Sequence, residues 1–187
     1  KAFVHPSIES ISISDGQNIT ANNAKFLRLF WEIDNRIIGI NCKWRLYAKG
    51  GEYRKWYGNL ETIIDWSADA RDFYHKNSSA RIIPEYLWYR KGITWTLLSS
   101  HSTGFRLLPQ EATFDKTGSS IFFKDDTMIP FCLALLNSPI ANKILGIFSS
   151  TMAFQIVEIR RIPFIKISDK FEAQIKQNIS ISKQDWD

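Results

Sequence analysis

Apolar and polar residues alternate along most of the chain's first 125 positions, and the pattern changes character after Met128. Residues 7–14 (SIESISIS) alternate and predict a short strand. Asp15-Gly16-Gln17-Asn18 is turn chemistry, and residues 20–23 read as a polar, amide-rich loop. Residues 26–33 (FLRLFWEI) predict a strand that buries an apolar face of Leu27, Leu29, Trp31 and Ile33. Residues 37–40 read as the start of another strand. Residues 62–66 read as extended, with a helix from Ser67 or Asp69 that Asn77-Ser78-Ser79 breaks. Short strands follow at 92–99, 105–108, 112–114 and 121–123, around turns at Pro109 and at Gly118-Ser119-Ser120. Residues 129–136 form an apolar helix. Ser138 then fits an N-cap and Pro139 the first position of a second helix through Phe148. Pro163 ends the next segment, and residues 168–178 start a polar helix with Phe171 and Ile175 at i, i+4. This order predicts an α+β fold: a twisted, mostly antiparallel sheet, then a C-terminal helical hairpin and an exit helix.

The stretch 43–59 (KWRLYAKGGEYRKWYGN) stands out. It carries Lys43, Arg45, Lys49, Arg54 and Lys55 against one acid, Glu52, with Trp44, Tyr47, Tyr53, Trp56 and Tyr57 interleaved. Gly50-Gly51 predicts a hairpin turn between antiparallel strands, because both residues tolerate positive φ. Such a hairpin puts Tyr53, Lys55 and Tyr57 on one face and Glu52, Arg54 and Trp56 on the other. Cations beside flat rings suit a polyanion of stacked bases. The alternative is a half-buried hairpin whose rings are core and whose charges are solvated.

The run KGGEYRKWYGN resembles a signature of the DNA-specificity region in BREX-type phage-defence adenine methyltransferases, the PglX-like group, and in related type IIG restriction–modification enzymes. Further matches follow in order. Gly16, Thr20, Asn22-Asn23 and Phe26-Leu27-Arg28 resemble the group's opening pattern, with Ala21 where the group usually has Gly. GITW, FR, FD and GSSIF then recur between residues 92 and 122. LLNSPIANKIL at 135–145 and FQIVEIRRIPF at 154–164 resemble the close of target-recognition domains in DNA methyltransferases and type I specificity subunits. NISISKQDWD resembles the segment that follows. The resemblance covers residues 15–187 in patches.

It implies a fragment of a larger protein, with a target-recognition domain over 1–165 and the start of a following helical segment over 166–187. Such a domain reads a short, asymmetric site in double-stranded DNA. It presents that site to an N-terminal methyltransferase domain of the same parent chain. S-adenosylmethionine then belongs to the parent, and no cofactor to this fragment. In this reading Lys49, Arg54 and Lys55, on an exposed hairpin edge, are the best phosphate contacts, joined by Lys43, Arg45 and Arg106. Thr20, Asn22 and Asn23 are candidate base readers. Trp44 and Trp56 read more readily as core than as stacking platforms.

Composition narrows the alternatives. The 187 residues, 44% hydrophobic and 23% charged, suffice for one domain with a substantial core. A net charge of +5 favours acidic partners. Cys42 and Cys132 make no CxxC, so a reducing cytoplasm is expected. No signal peptide or bilayer-spanning run is visible, and no membrane partner is expected. The Asn/Asp-Pro-Pro-Tyr motif of N6-adenine methyltransferases is missing, as are a glycine-rich donor loop, a zinc-deaminase signature and an acid-x-Lys nuclease triplet. His5, His75 and His101 are isolated, and Asp125-Asp126 reads as an exposed acidic turn. Catalysis within the chain is therefore not expected. The alternatives are a protein-interaction module of a phage-defence complex and, behind it, a divergent nuclease.

Overall fold

Two four-stranded sheets take up the strands found among the described residues. The computed structural model describes residues 5–99, 103–148, 153–165 and 168–186, so His101 lies outside the described residues. The strands are β1 (Ser12–Ile13), β2 (Leu27–Leu29), β3 (Trp44–Ala48), β4 (Thr62–Asp65), β5 (Gly92–Trp95), β6 (Phe105–Leu108), β7 (Ala112–Phe114) and β8 (Ser120–Phe123). The helices are α1 (Ile8–Ile11), α2 (Asn23–Phe26), α3 (Ala68–Lys76), α4 (Ile129–Leu136), α5 (Pro139–Phe148), α6 (Ile156–Arg160) and α7 (Glu172–Trp186). One sheet has the order β1-β8-β5-β6, antiparallel throughout. The other has the order β2-β4-β3-β7, antiparallel except for the parallel β3–β7 pair. The fold is thus α+β and mostly antiparallel, as its patterning predicts.

Alternation along the strands builds the core. Ile93, Trp95, Ile121 and Phe123 face a cluster formed with Cys132, Leu133, Leu136, Ala141 and Leu145 of α4 and α5. Phe122, between two of those residues in sequence, points the other way to Leu108, Phe114 and Leu60. A third cluster sets Phe26, Tyr47, Ile64 and Trp66 against Ala70 and Tyr74 of α3.

Local capping explains where the helices begin. Ser67 Oγ accepts from Ala70 N at 3.3 Å, and α3 starts there. Ser138 Oγ accepts from Ala141 N at 3.2 Å, and Pro139 opens α5. Between α4 and α5 the chain bends by 79°. Asn137 sits in that bend, buried. Its Nδ2 donates to Phe105 O at 2.9 Å and its Oδ1 accepts from Phe105 N at 3.0 Å, which pins β6 to the helical pair.

Four expectations need correction. Residues 7–14 make one helical turn before the two-residue β1, because Ile8 is fully buried and Ile8 N donates to Ile162 O at 2.9 Å. The 26–33 strand stops at Leu29. Glu32 Oε2 takes the Leu29 N–H at 2.7 Å and turns the chain into a 3-10 helix, so Phe26 is buried and Trp31 stays 61% exposed. Residues 35–37 form another 3-10 turn, not the lead of a strand.

The Gly50-Gly51 hairpin is the fourth. Both glycines do have positive φ, 86° and 115°. Yet β3 already has β4 on one edge and β7 on the other, so no edge remains for a hairpin partner. Residues 49–61 instead form a long connection, and no alternating faces are set by residues 52–57. Gly50 serves close backbone approach, since a Cβ there would lie 2.9 Å from Thr117 O, and the same contact region includes Gly118. A Cβ on Gly118 would lie 2.2 Å from Ala48 O and 2.9 Å from Gly50 N. Gly118→Ala is therefore expected to cost about 1–3 kcal/mol. A circular-dichroism melt should show Tm lowered by several degrees.

Candidate nucleic-acid interface

The basic run turns much of its charge inward. Lys49 Nζ lies 2.8 Å from Asp115 Oδ2, and Asp115 Oδ1 also accepts from Thr117 N and Gly118 N. Arg54 Nη1 lies 2.8 Å from Asp185 Oδ2, with its guanidinium 5.1 Å from the Trp186 ring. Lys55 Nζ donates to Asn137 O at 2.9 Å. The exposed hairpin edge expected for these three is thus replaced by part-buried side chains, 34% exposed for Lys49 and 32% for Arg54. Trp44 and Tyr57 are buried, as core rings should be, and Tyr53 is exposed. Trp56, half-buried with φ 71°, receives Leu107 N and donates its own N–H to Phe105 O, both at 2.8 Å. The run thereby covers the free edge of β6.

Arg45 and Arg106 are 0% and 1% exposed, so their guanidinium groups are enclosed by protein instead of standing on the surface. Arg45 donates to the carbonyls of Gln110, Glu111 and Ala112 and lies against the rings of Tyr89 and Trp66. Arg106 donates to Arg54 O, Gly104 O and Thr96 Oγ1. Burial pushes both guanidinium groups down to about 10, still cationic at neutral pH. Sequence gives them the same look as their exposed neighbours, and only long-range partners separate the two kinds.

The asparagine loop presents a different face. Thr20 is buried, and its hydroxyl donates to Asn23 Oδ1 at 2.6 Å. Asn22 Oδ1 caps α2 by accepting from Lys25 N at 3.0 Å. Asn22, Asn23 and Lys25 are exposed. Ala21 has φ 58°, a left-handed conformation that glycine adopts without strain. Lys43 is the most exposed cation of the basic run, with Asp65 3.9 Å from its Nζ.

Among the described residues no group of three or more His, Cys, Asp and Glu gathers as a metal site needs. Asp125 caps a short turn by accepting from Thr127, and Asp126 lies 3.4 Å from Arg90. Burial pushes the Cys132 thiol up to about 12, leaving it a small core residue. No single helix among the described residues is long and apolar enough to cross a membrane.

The chain is 34% identical over 148 residues to the adenine-specific methyltransferase BrxX of Escherichia coli O9:H4 (strain HS), which covers 78% of this chain and 12% of the relative. It is 32% identical over 183 residues to the adenine-specific methyltransferase PglX of Lacticaseibacillus casei (strain Zhang), covering 89% of this chain and 15% of the relative. These matches support a PglX-like family relation. No protein-family model matches the chain.

The PglX-like run is therefore tied into the fold at many points. Besides its ion pairs, Thr96 Oγ1 donates to Gly51 O at 3.0 Å, Thr117 Oγ1 to Lys49 O at 2.8 Å, and Asn59 Nδ2 to Glu52 O at 2.8 Å. Sequence reasoning missed the residues that receive it: Asp115, Asn137, Asp185 and Trp186. The one local signal was Asn137, in the break between two helices. These contacts separate structural from surface cations. Arg45→Ala should cost about 2–4 kcal/mol, through a cavity and three stranded carbonyls. Lys43→Ala should stay within about 0.5 kcal/mol. Urea unfolding of the two variants checks the contrast.

Proposed function

We propose that the chain is the double-stranded-DNA recognition domain of an N6-adenine DNA methyltransferase of a phage-defence system. The observation that carries this reading is the alignment of 78% and 89% of the chain with segments that make up 12% and 15% of two adenine-specific methyltransferases. The chain holds no Asn/Asp-Pro-Pro-Tyr motif and no glycine-rich donor loop. Methyl transfer and S-adenosylmethionine are accordingly assigned to the rest of the parent protein, with an N-terminal methyltransferase domain as intramolecular partner. Residues 1–165 are the recognition unit and 166–187 the start of the next helical segment.

Within this reading Asn22 and Asn23 are the base readers. An asparagine amide offers a donor and an acceptor side by side, which match N7 and N6 of adenine in the major groove. The cap that holds Asn22 fixes the loop before DNA arrives, which lowers the ordering cost of binding. Lys43 is the favoured phosphate contact, because Arg45 and Arg106 are buried and Lys49, Arg54 and Lys55 have partners within the fold. One observation favours a protein-interaction role as a second reading: Leu29, Phe30, Trp31, Ile37 and Ile40 are all exposed within twelve residues of chain.

Titration of the chain with duplex DNA at several salt concentrations tests the first reading. Binding should weaken steeply with salt, and log K should fall linearly against log salt. In the intact enzyme, Asn22→Ala or Asn23→Ala should change which site is methylated more than it changes that slope. Absence of salt-dependent DNA binding by the folded chain moves the assignment to the interaction reading.

A further inference from the structure

We propose that the asparagine loop and the segment after α3 form one DNA-contacting face, on which Lys25 and Arg81 hold backbone phosphates beside the bases that Asn22 and Asn23 read. This rests on the recognition reading above and adds two cations from outside the basic run. The backbone brings the two segments together. Ile19 and Arg81 form an antiparallel bridge, Ile19 N donating to Arg81 O at 2.8 Å and Arg81 N to Ile19 O at 2.9 Å. Thr20 and Ala80, the next residues on each side, are buried, so alternation leaves Arg81 on the outer face, where it is exposed. At the other end of the loop, the Phe26 ring packs 4.9 Å from Phe73 and 5.0 Å from Tyr74 of α3. The exposed Lys25 stands at this junction, its Nζ 5.0 Å from the Phe26 ring and 5.3 Å from the Phe73 ring. The segment after α3 is as firmly held as the loop. Asn77 Oδ1 accepts from Ser79 N at 2.9 Å and from Ala80 N at 3.2 Å. Arg81 Nη1 donates to Ser78 O at 2.7 Å and to Ala80 O at 2.6 Å.

The charge on this face is not spent within the fold. Residues 19–26 and 73–82 contain Lys25, His75, Lys76 and Arg81 and no acidic residue. Asp72, just before the second segment, is taken up by Lys76 at 2.8 Å. Among the described residues no carboxylate pairs with Lys25 or Arg81, whereas Lys49 and Arg54 of the basic run each lie 2.8 Å from one. Both bonds of Arg81 use Nη1, which leaves the rest of its planar fork for a phosphate. The face is also polar: none of the exposed large apolar side chains falls within 19–26 or 73–82. Unpaired cations without an apolar patch, around two exposed amides, fit a nucleic acid better than a protein partner. Amides that read bases need such neighbours, because phosphate contacts fix the register in which the bases are met.

Binding of duplex DNA against salt tests this face in the wild type and in the double variant Lys25→Gln/Arg81→Gln. A second double variant, Lys91→Gln/Lys176→Gln, is the control. It removes the same formal charge from two exposed lysines at the pocket beside α7. Circular dichroism checks the fold of each. The first variant should flatten the slope of log K against log salt by about 1.8, two phosphate contacts at ~0.9 each. The loss should be equal on unrelated duplex sequences, since phosphate contacts carry no sequence information. The control should keep the wild-type slope. Lys25→Gln/Arg81→Lys restores one charge without the guanidinium that ties Ser78 and Ala80, so it should lose only ~0.9. A loss as large as in Lys25→Gln/Arg81→Gln would trace the effect to a disturbed 77–81 segment and overturn the contact by Arg81. A wild-type slope in Lys25→Gln/Arg81→Gln, or an equal loss in the control, overturns the face and leaves the recognition reading standing. No salt-dependent binding by the folded wild type overturns both.

Discussion

Two buried guanidinium groups, hydrogen-bonded chiefly to backbone carbonyls, hold the connections of this fold in place. Removing a cation from water costs several kcal/mol, and the cost is offset only where oxygens and ring faces replace the lost hydration. Arg45 finds them in the carbonyls of the turn that carries the chain from one sheet to the other, at Gln110, Glu111 and Ala112. Arg106 finds them at Arg54 O and Gly104 O, where the long 49–61 connection passes the edge of β6. Neither connection can move away without stranding a charge. At Gly104 the approach is closer still, since a Cβ there would lie 2.2 Å from Arg54 O. The sheet crossing and the basic run are fixed by the same device.

That device explains what patterning reveals and what it hides. The strands from β4 onward and the starts of α3 and α5 are legible because their causes are local: β-branched and aromatic alternation, a serine cap, a proline in the first turn. β1 and the hairpin misread because their causes are distant. Ile8 turns helical to meet Ile162, and β3 is enclosed by strands that come 14 and more residues later in the chain, from Thr62 onward. Alternation records that a face is available for burial but not which partner takes it. Trp31, on a face that alternation would bury, is left exposed once Glu32 ends the strand.

The candidate site divides in the same way. The asparagine loop is legible because turn and cap chemistry act within three residues, as in the Thr20–Asn23 and Asn22–Lys25 bonds. The glycine of the PglX-like pattern also acquires a reason, since Ala21 stands at a left-handed position that glycine adopts without strain. The partners of the basic run are not legible. The acids that take up the cations lie far along the chain, Asp115 for Lys49 and Asp185 for Arg54, so no window of sequence shows which charges are paired.

Composition counts charges, but a partner reads only those whose fields leave the surface. Along the basic run, Lys49 is paired with Asp115 and Arg54 with Asp185, and Arg45 is enclosed, so a dense stretch of formal charge projects less than its count. The same pairing draws α7 onto the strand-bearing part of the chain. Trp186 lies over Arg54 and against Gly58, where a Cβ would sit 2.8 Å from its ring, and Lys183 lies 5.4 Å from the Tyr57 ring. A boundary at residue 165 divides the sequence without dividing this packing. The aromatic-cationic composition that suggests nucleic-acid stacking is here satisfied by a helix of the chain itself. For such a run, the discriminating quantity is the solvent exposure of each cation, and by that measure Lys43 ranks ahead of the glycine-flanked signature beside it.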